Sequence, residues 1–115
     1  MKRGDVYRVE LDPTVGSEQR KTRPCVIVRR TVDERDESKS PMTVVVPLAD
    51  ARGRAGNVLH VRVTAGLGGM SKDSRAICNQ IRAVDKSRFR GDALGQLPAE
   101  IMTKIDAGLR VLLDL

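Results

Sequence analysis

Aromatic residues are nearly missing from this chain of 115 residues: it has no tryptophan, a single tyrosine, Tyr7, and a single phenylalanine, Phe89. Two rings cannot line an extended stacking surface, so planar ligands would have to be met by guanidinium planes and hydrogen bonds. Cysteine is equally scarce. Cys25 and Cys78 lie in apolar runs with no second Cys or His at metal spacing, which predicts buried free thiols in place of a disulfide framework or a thiolate metal site. No apolar run approaches the ~18 residues of a membrane span. Met1-Lys2-Arg3 leads directly into an alternating pattern without the apolar region of a signal peptide, so a cytoplasmic protein is expected. Acidic residues are absent from Ala51 to Lys72, a stretch that holds Arg52, Arg54, Arg62, Lys72 and the only histidine, His60.

What the chain does have is positive charge, 21 Lys and Arg against 15 Asp and Glu, for a net charge of +6. It is unevenly placed. Residues 1–91 carry 19 of the cations and 11 of the carboxylates, and the remainder is slightly acidic. A basic surface built from the first part of the chain favours an anionic partner, and arginine, the dominant cation, suits phosphate because its planar fork bonds bidentately. A chain of this length fits one domain over residues 1–115, since single cores commonly occupy about 100–150 residues.

Read in order, Gly4 to Leu11 alternates, with Val6, Arg8 and Glu10 on one face and Tyr7, Val9 and Leu11 on the other, as a strand does. Pro24 to Arg30 reads as a second strand whose Cys-Val-Ile-Val run is buried on both faces. Asp33 to Ser40 is charged and ends at Pro41, the mark of a solvent-facing turn. Met42 to Leu48 is a third strand in which Pro47 suggests an edge or a bulge. Asn57 to Val63 alternates again and turns His60 away from the apolar side. Ala65 to Gly69 reads as a turn, because it lacks the lysine and flanking pattern of a phosphate-binding loop. Arg75 to Val84 is a fifth strand, and Asp85 to Arg88 a short capped turn. Pro98 then opens a helix, with Ile101, Ile105, Leu109, Leu112 and Leu113 at helical spacing. Five strands and one terminal helix point to a mainly β fold, a small bent sheet or barrel with the helix across one opening.

Between the first two strands lies Gly16-Ser17-Glu18-Gln19-Arg20-Lys21-Thr22-Arg23-Pro24, bounded by a residue of free φ and one of fixed φ. It carries three cations and one carboxylate. Glu18 and Arg23 placed at one small volume would move a proton and hold an anion, and the polyanion that suits a basic protein is nucleic acid. On residue types alone, a loop ion pair without catalytic duty is the alternative.

Arg3-Gly4-Asp5-Val6-Tyr7, Asp12-Pro13, Gly16-Ser17-Glu18-Gln19, Arg23-Pro24 and Gln80-Ile81-Arg82-Ala83-Val84-Asp85-Lys86 resemble, in order and spacing, the MazF/PemK toxins of bacterial type II toxin–antitoxin modules. The likeness runs along essentially the whole chain. It implies an SH3-like barrel like that of the CcdB toxins, a homodimer, and sequence-specific cleavage of single-stranded RNA without metal or cofactor, which halts translation and growth. It also implies a cognate antitoxin, whose complex with the toxin binds DNA, and no membrane. In a metal-free reaction the 2′-hydroxyl attacks the adjacent phosphorus, and the protein moves protons and stabilises a doubly charged phosphorane. Arg23 suits the stabilising role, because its pKa above ~12 makes it a poor proton donor at neutral pH. Glu18 takes the 2′-hydroxyl proton or simply holds Arg23. Gln19, Arg20, Lys21, Arg52, Arg54, Gln80 and Arg82 are candidate RNA contacts, with Gln80 and Arg82 equally readable as the wet face of a strand. His60 falls outside both motifs and reads as an exposed strand residue.

One position departs from the family. Where its members usually carry Thr or Ser at the end of the third strand, this chain has Ala49. Loss of an orienting hydroxyl, its replacement by another residue, and RNA binding without efficient cutting all remain open. So does a toxin of the same fold that inhibits DNA gyrase.

Overall fold

The computed structural model describes residues 1–31, 39–53 and 56–115. Among them, strands β1 (Asp5–Glu10), β2 (Thr22–Ile27), β3 (Met42–Asp50), β4 (His60–Val63), β5 (Ser74–Ile77), β6 (Arg82–Asp85) and β7 (Phe89–Gln96) precede helix α1 (Ala99–Leu113). All strand pairs are antiparallel, in the order β4-β5-β3-β2-β1-β7, with β6 also on β3. The fold is therefore mainly β with a C-terminal helix, as the sequence predicts. The solvent-facing turn expected over Asp33 to Ser40 falls mostly outside the described residues.

The long strand β3 bends the sheet. Val45 to Pro47 pair with β2 on one edge, while on the other Met42 to Val45 pair with β6 and Leu48 to Asp50 with β5. Pro47 lies in the interval where that outer edge changes partner, a place in a central strand that tolerates a missing N–H. It marks neither a sheet edge nor a simple bulge.

Alternation along the strands sends apolar side chains to both faces. Val6, Val26, Val28, Val46 and Leu48 point to one face, where Val61, Val63, Ala76 and Cys78 join them and Ile101, Met102 and Ile105 of α1 close the cluster. Val9, Leu11, Cys25, Ile27, Val45 and Val84 fill the opposite face with Tyr7 and Phe89. The Cys-Val-Ile-Val run is thus buried on both faces, and each such side chain removed from water contributes about 1.5–3 kcal/mol. The two aromatic rings lie 5.2 Å apart, tilted by 58°, so they pack on each other.

Three expectations are corrected. The stretch from Arg75 to Val84 is two strands, β5 and β6, broken by a 3-10 turn at Cys78–Gln80. Strand β7 was not predicted at all. It pairs with β1 and lies so close to the turn at Leu67–Gly69 that a Cβ on Gly95 would stand 2.6 Å from the carbonyl carbon of Gly68. The first strand ends at Glu10 and the second begins at Thr22.

The turn at Lys86–Arg88 is capped as expected, by Asp85, whose carboxylate accepts from the Ser87 N–H and is held below the usual carboxylate range by Ser87. Pro98 stands just before α1, and its carbonyl accepts from the N–H groups of Ile101 and Met102. The helix seats on Gly108: a Cβ there would be 2.4 Å from the Val58 carbonyl oxygen and 2.9 Å from Cys78 Sγ. Arg3 ties the start of the chain to this layer through Asp106 and the Val28 carbonyl. Among the described residues no helix is long and apolar enough to cross a membrane.

Candidate active site

The loop between β1 and β2 is closed at its neck. Glu10 and Thr22 form the last strand pair, the Leu11 N–H donates to the Lys21 carbonyl at 2.8 Å, and Thr22 Oγ1 donates to Glu10 Oε2 at 3.0 Å. Within the loop, Glu18 Oε1 accepts from the Val15 N–H at 2.8 Å, and Arg20 reaches back to the Gly16 carbonyl at 3.3 Å. Arg23 leaves the loop at the start of β2, with Nε donating to the Arg20 carbonyl at 3.1 Å. Glu18 and Arg23 therefore form no ion pair, which corrects the pairing expected from sequence. A five-residue separation through a turn fixes no common direction, and the Glu18 carboxylate closes its own turn instead.

The second motif holds this loop from behind. Gln80, in the 3-10 turn, accepts from the Gln19 N–H at 2.8 Å through Oε1 and donates to the Ser17 carbonyl at 3.2 Å through Nε2. Arg82 donates to the Leu11 carbonyl at 3.3 Å. Arg88 donates to the carbonyls of Glu10 and Asp12 at 3.1 and 2.7 Å. One amide and two guanidiniums, 60 to 80 positions away in sequence, thus satisfy backbone groups that a projecting loop would otherwise leave to water.

Two cavities adjoin at Gln19. The first, of about 350 Å³, is lined by Leu11, Pro47, Ser17, Glu18 and Gln19 on one side and by Asn79, Gln80, Ile81 and Arg82 on the other. The second, of about 190 Å³, is lined by Gln19, Arg23, Ala49, Asp50, Arg52 and Arg75. Arg23 and Ala49 therefore share a pocket, whereas Glu18 lies in its neighbour. Three guanidiniums face one carboxylate in the smaller cavity, and none of them forms an ion pair among the described residues. Arg20 and Lys21 are exposed and line neither cavity, and Arg54 lies outside the described residues.

Residues 2–113 match the family model of the PemK-like, MazF-like toxins of type II toxin–antitoxin systems. The chain belongs to this family. It is 36% identical over 115 residues to endoribonuclease EndoA of Bacillus subtilis (strain 168), covering all of this chain and 96% of that protein. The fold is that of MazF from Deinococcus radiodurans, with a TM-score of 0.80 at 21% identity over 100% of this chain and 97% of that one. A mycobacterial endoribonuclease solved with its cognate antitoxin superposes with a TM-score of 0.74 at 23% identity, covering 100% and 96%.

For a MazF-like toxin the departure at Ala49 now has a place. Ala49 is half-buried on β3, pairs across the sheet with Arg75 on β5, and lines the Arg23 pocket. His60 is not simply exposed: its ring is half-buried, and Nδ1 lies 2.8 Å from Arg75 Nη1. Arg75, Asn79 and Arg88 escaped the reading of the sequence. Arg75 stands in plain sight at the head of a predicted strand, but only the β3–β5 register brings it to Arg23. Both thiols are free and buried. Burial pushes Cys25 up to about 12, against a smaller opposing effect of the Arg82 charge, and raises Cys78 as well.

Proposed function

We propose that this MazF-like toxin, an endoribonuclease by family and by its full-length relative, cuts single-stranded RNA without metal in the pocket that holds Arg23. The observation that carries the reading is the Arg23 guanidinium, anchored through Nε and in no ion pair among the described residues, in a small cavity where three arginines outnumber the one carboxylate, Asp50. The 2′-oxygen of the substrate bonds to the adjacent phosphorus and loses its proton, the bond from phosphorus to the 5′-oxygen breaks, and that oxygen leaves protonated. The products are a 2′,3′-cyclic phosphate and a 5′-hydroxyl. Arg23 holds nonbridging oxygens as charge builds on them. Glu18, in the adjoining cavity, is the candidate to take the 2′-hydroxyl proton, a reading supported by its carboxylate accepting from the Val15 N–H and making no ion pair with Arg23.

Gln19 reaches both cavities and would contact the RNA between them, with Arg52 at the edge. Arg20 and Lys21 draw in the backbone from the exposed loop. Gln80 and Arg82 act mainly by holding the loop, although both also line the larger cavity. The partners follow the family: a second copy of this chain, and an acidic antitoxin segment that lies over the basic loops and competes with RNA in the cytoplasm. A gyrase-directed role is set aside, because it would make no use of the cationic pocket. Ala49 favours one second reading, a slow enzyme or an RNA binder that cuts poorly.

Cleavage of unstructured RNA in excess EDTA tests the proposal. The parent protein is expected to leave cyclic-phosphate ends, and Arg23→Ala to lose cleavage while remaining folded. Normal cutting by Arg23→Ala overturns the site, and a requirement for a divalent ion overturns the mechanism. Ala49→Thr run beside them shows whether the missing hydroxyl limits the rate.

A further inference from the structure

Arg75 has no assigned task, yet it is the most firmly placed cation in the Arg23 pocket. On β5 it pairs with Ala49 of β3 on one side and with Arg62 of β4 on the other. Directly paired residues project to the same face with Cβ atoms about 4.5–5.5 Å apart, so the Arg75 side chain starts beside the Ala49 methyl group. Two contacts then fix its course. Nε donates to the Asp50 carbonyl at 3.2 Å, and Nη1 lies 2.8 Å from His60 Nδ1. A guanidinium has donors only, so Nδ1 must accept, which requires a neutral imidazole with its proton on Nε2.

Among the described residues no carboxylate forms an ion pair with Arg75. Asp73, two residues away, is engaged by the Ala65 N–H at 2.9 Å and by Arg62 at 2.9 Å, contacts that hold it below the usual carboxylate range. Asp50 lines the pocket, but it forms no ion pair with Arg75 or Arg23 among the described residues. Two anchored guanidiniums in a cavity of about 190 Å³ repel each other until an anion lies between them.

We propose that Arg75 is a second phosphate-binding residue of this pocket, positioned by His60, and that it stands in for the hydroxyl missing at Ala49 by holding the same phosphate as Arg23. The inference rests on the Arg23 site proposed above. It makes His60 a positioning residue, with no proton transfer of its own.

The test compares the parent with Arg23→Ala, Arg75→Ala, Arg75→Lys, His60→Ala and His60→Gln, each checked for an unchanged melting curve. Cleavage of a random-sequence, unstructured RNA pool in EDTA gives kcat and KM. Titration of a 2′-fluoro version of that pool, which lacks the attacking hydroxyl, gives the dependence of binding on salt. Arg75→Ala should lower kcat about 10- to 100-fold, the loss expected of one charge-assisted hydrogen bond, and reduce the salt slope by about one. Arg75→Lys should recover the slope but little of kcat, because an ammonium has no fork. His60→Ala should lower kcat with KM nearly unchanged, and His60→Gln, which keeps an acceptor, should recover part of it.

Arg75→Ala with kcat within twofold of the parent and the same salt slope overturns the inference. If Arg23→Ala is dead in that same experiment, only Arg75 is lost and the proposed function stands. If Arg23→Ala also cuts normally, the site itself is wrong. Should the parent fail to cut any RNA, the salt slope still decides Arg75, since an unchanged slope removes it. Full activity in His60→Ala overturns the positioning role.

Discussion

The arginines around the β1–β2 loop are of two kinds that look alike in sequence. Arg82 and Arg88 point their guanidiniums at backbone carbonyls of Glu10, Leu11 and Asp12, and so hold the loop in place. Arg23, anchored by one contact, and Arg75, anchored by two, open into a cavity. The first pair stabilises the folded loop by satisfying polar groups, and the second carries charge that no carboxylate among the described residues pairs with. Cations in a basic protein are therefore sorted by what their donors already meet, which net charge does not report.

The sharpest way to break this division is at Arg23. Removing one positioned donor of a developing oxyanion lowers kcat by about 10²–10³. Arg23→Ala is expected to show a loss of that size with little change in melting temperature, because among the described residues its side chain meets only the Arg20 carbonyl. Arg82→Ala, by contrast, should lower stability and activity together. Equal loss of the chemical step in a fully stable Arg82→Ala would erase the distinction.

A smaller effect is expected at Gln80, which joins both halves of the site. Gln80→Ala removes two partly exposed hydrogen bonds, each contributing about 0.5–1.5 kcal/mol. The variant should melt earlier, and the Gln19 amide, freed from Oε1, should exchange its proton faster. Gln80→Glu keeps the acceptor for Gln19 but loses the donor to Ser17, so its exchange rate should lie between those of Ala and the parent. Unchanged exchange at Gln19 in Gln80→Ala would show that the loop holds itself.

Much of this was legible in the residues. Alternation marked β1 as a strand, although Val6 and Val9 are buried on opposite faces where a half-buried strand is expected, and the continuous Cys-Val-Ile-Val run gave the two-faced burial of β2. The capped turn at Lys86 was visible in Asp85, and the helical stripe was correct in its first turns. Ile101 and Ile105 are buried, while Leu113 is 51% exposed. The motif around Arg23 marked the right loop. What the pattern could not carry was direction and register. Ala-Ile-Cys-Asn-Gln-Ile-Arg alternates smoothly through a turn, because a 3-10 break changes the path of the chain without changing which residues are apolar. Strand β7 reads Phe-Arg-Gly-Asp-Ala-Leu-Gly-Gln, mostly exposed and broken by glycines, and it becomes a strand because β1 offers an edge and the Gly68 turn a close fit. The meeting of Arg75 with Ala49, 26 positions earlier, depends on pairing between strands, which no local signal encodes.

The smallest effect lies beneath the pocket, at Cys25. Its thiol is buried on β2, with Sγ 3.6 Å from the Arg23 carbonyl, under the point where the holding side of the loop meets the open one. Burial moves the thiol from its ordinary 9.0 to about 12, so the folded state keeps the proton that the unfolded chain gives up. The contribution to stability is then complete below pH 9, and it is lost as the pH rises from there towards about 12. Each pH unit within that window removes at most about 1.4 kcal/mol. Urea midpoints measured at pH 8 and pH 10 should fall more steeply for the parent than for Cys25→Ala, with other alkaline titrations common to both. Iodoacetamide at pH 8 should modify Cys25 slowly in the native protein and quickly in urea. Rapid native modification would mean that the floor under Arg23 opens as readily as the loop above it, and the contrast between a fixed scaffold and an open pocket would have to be redrawn.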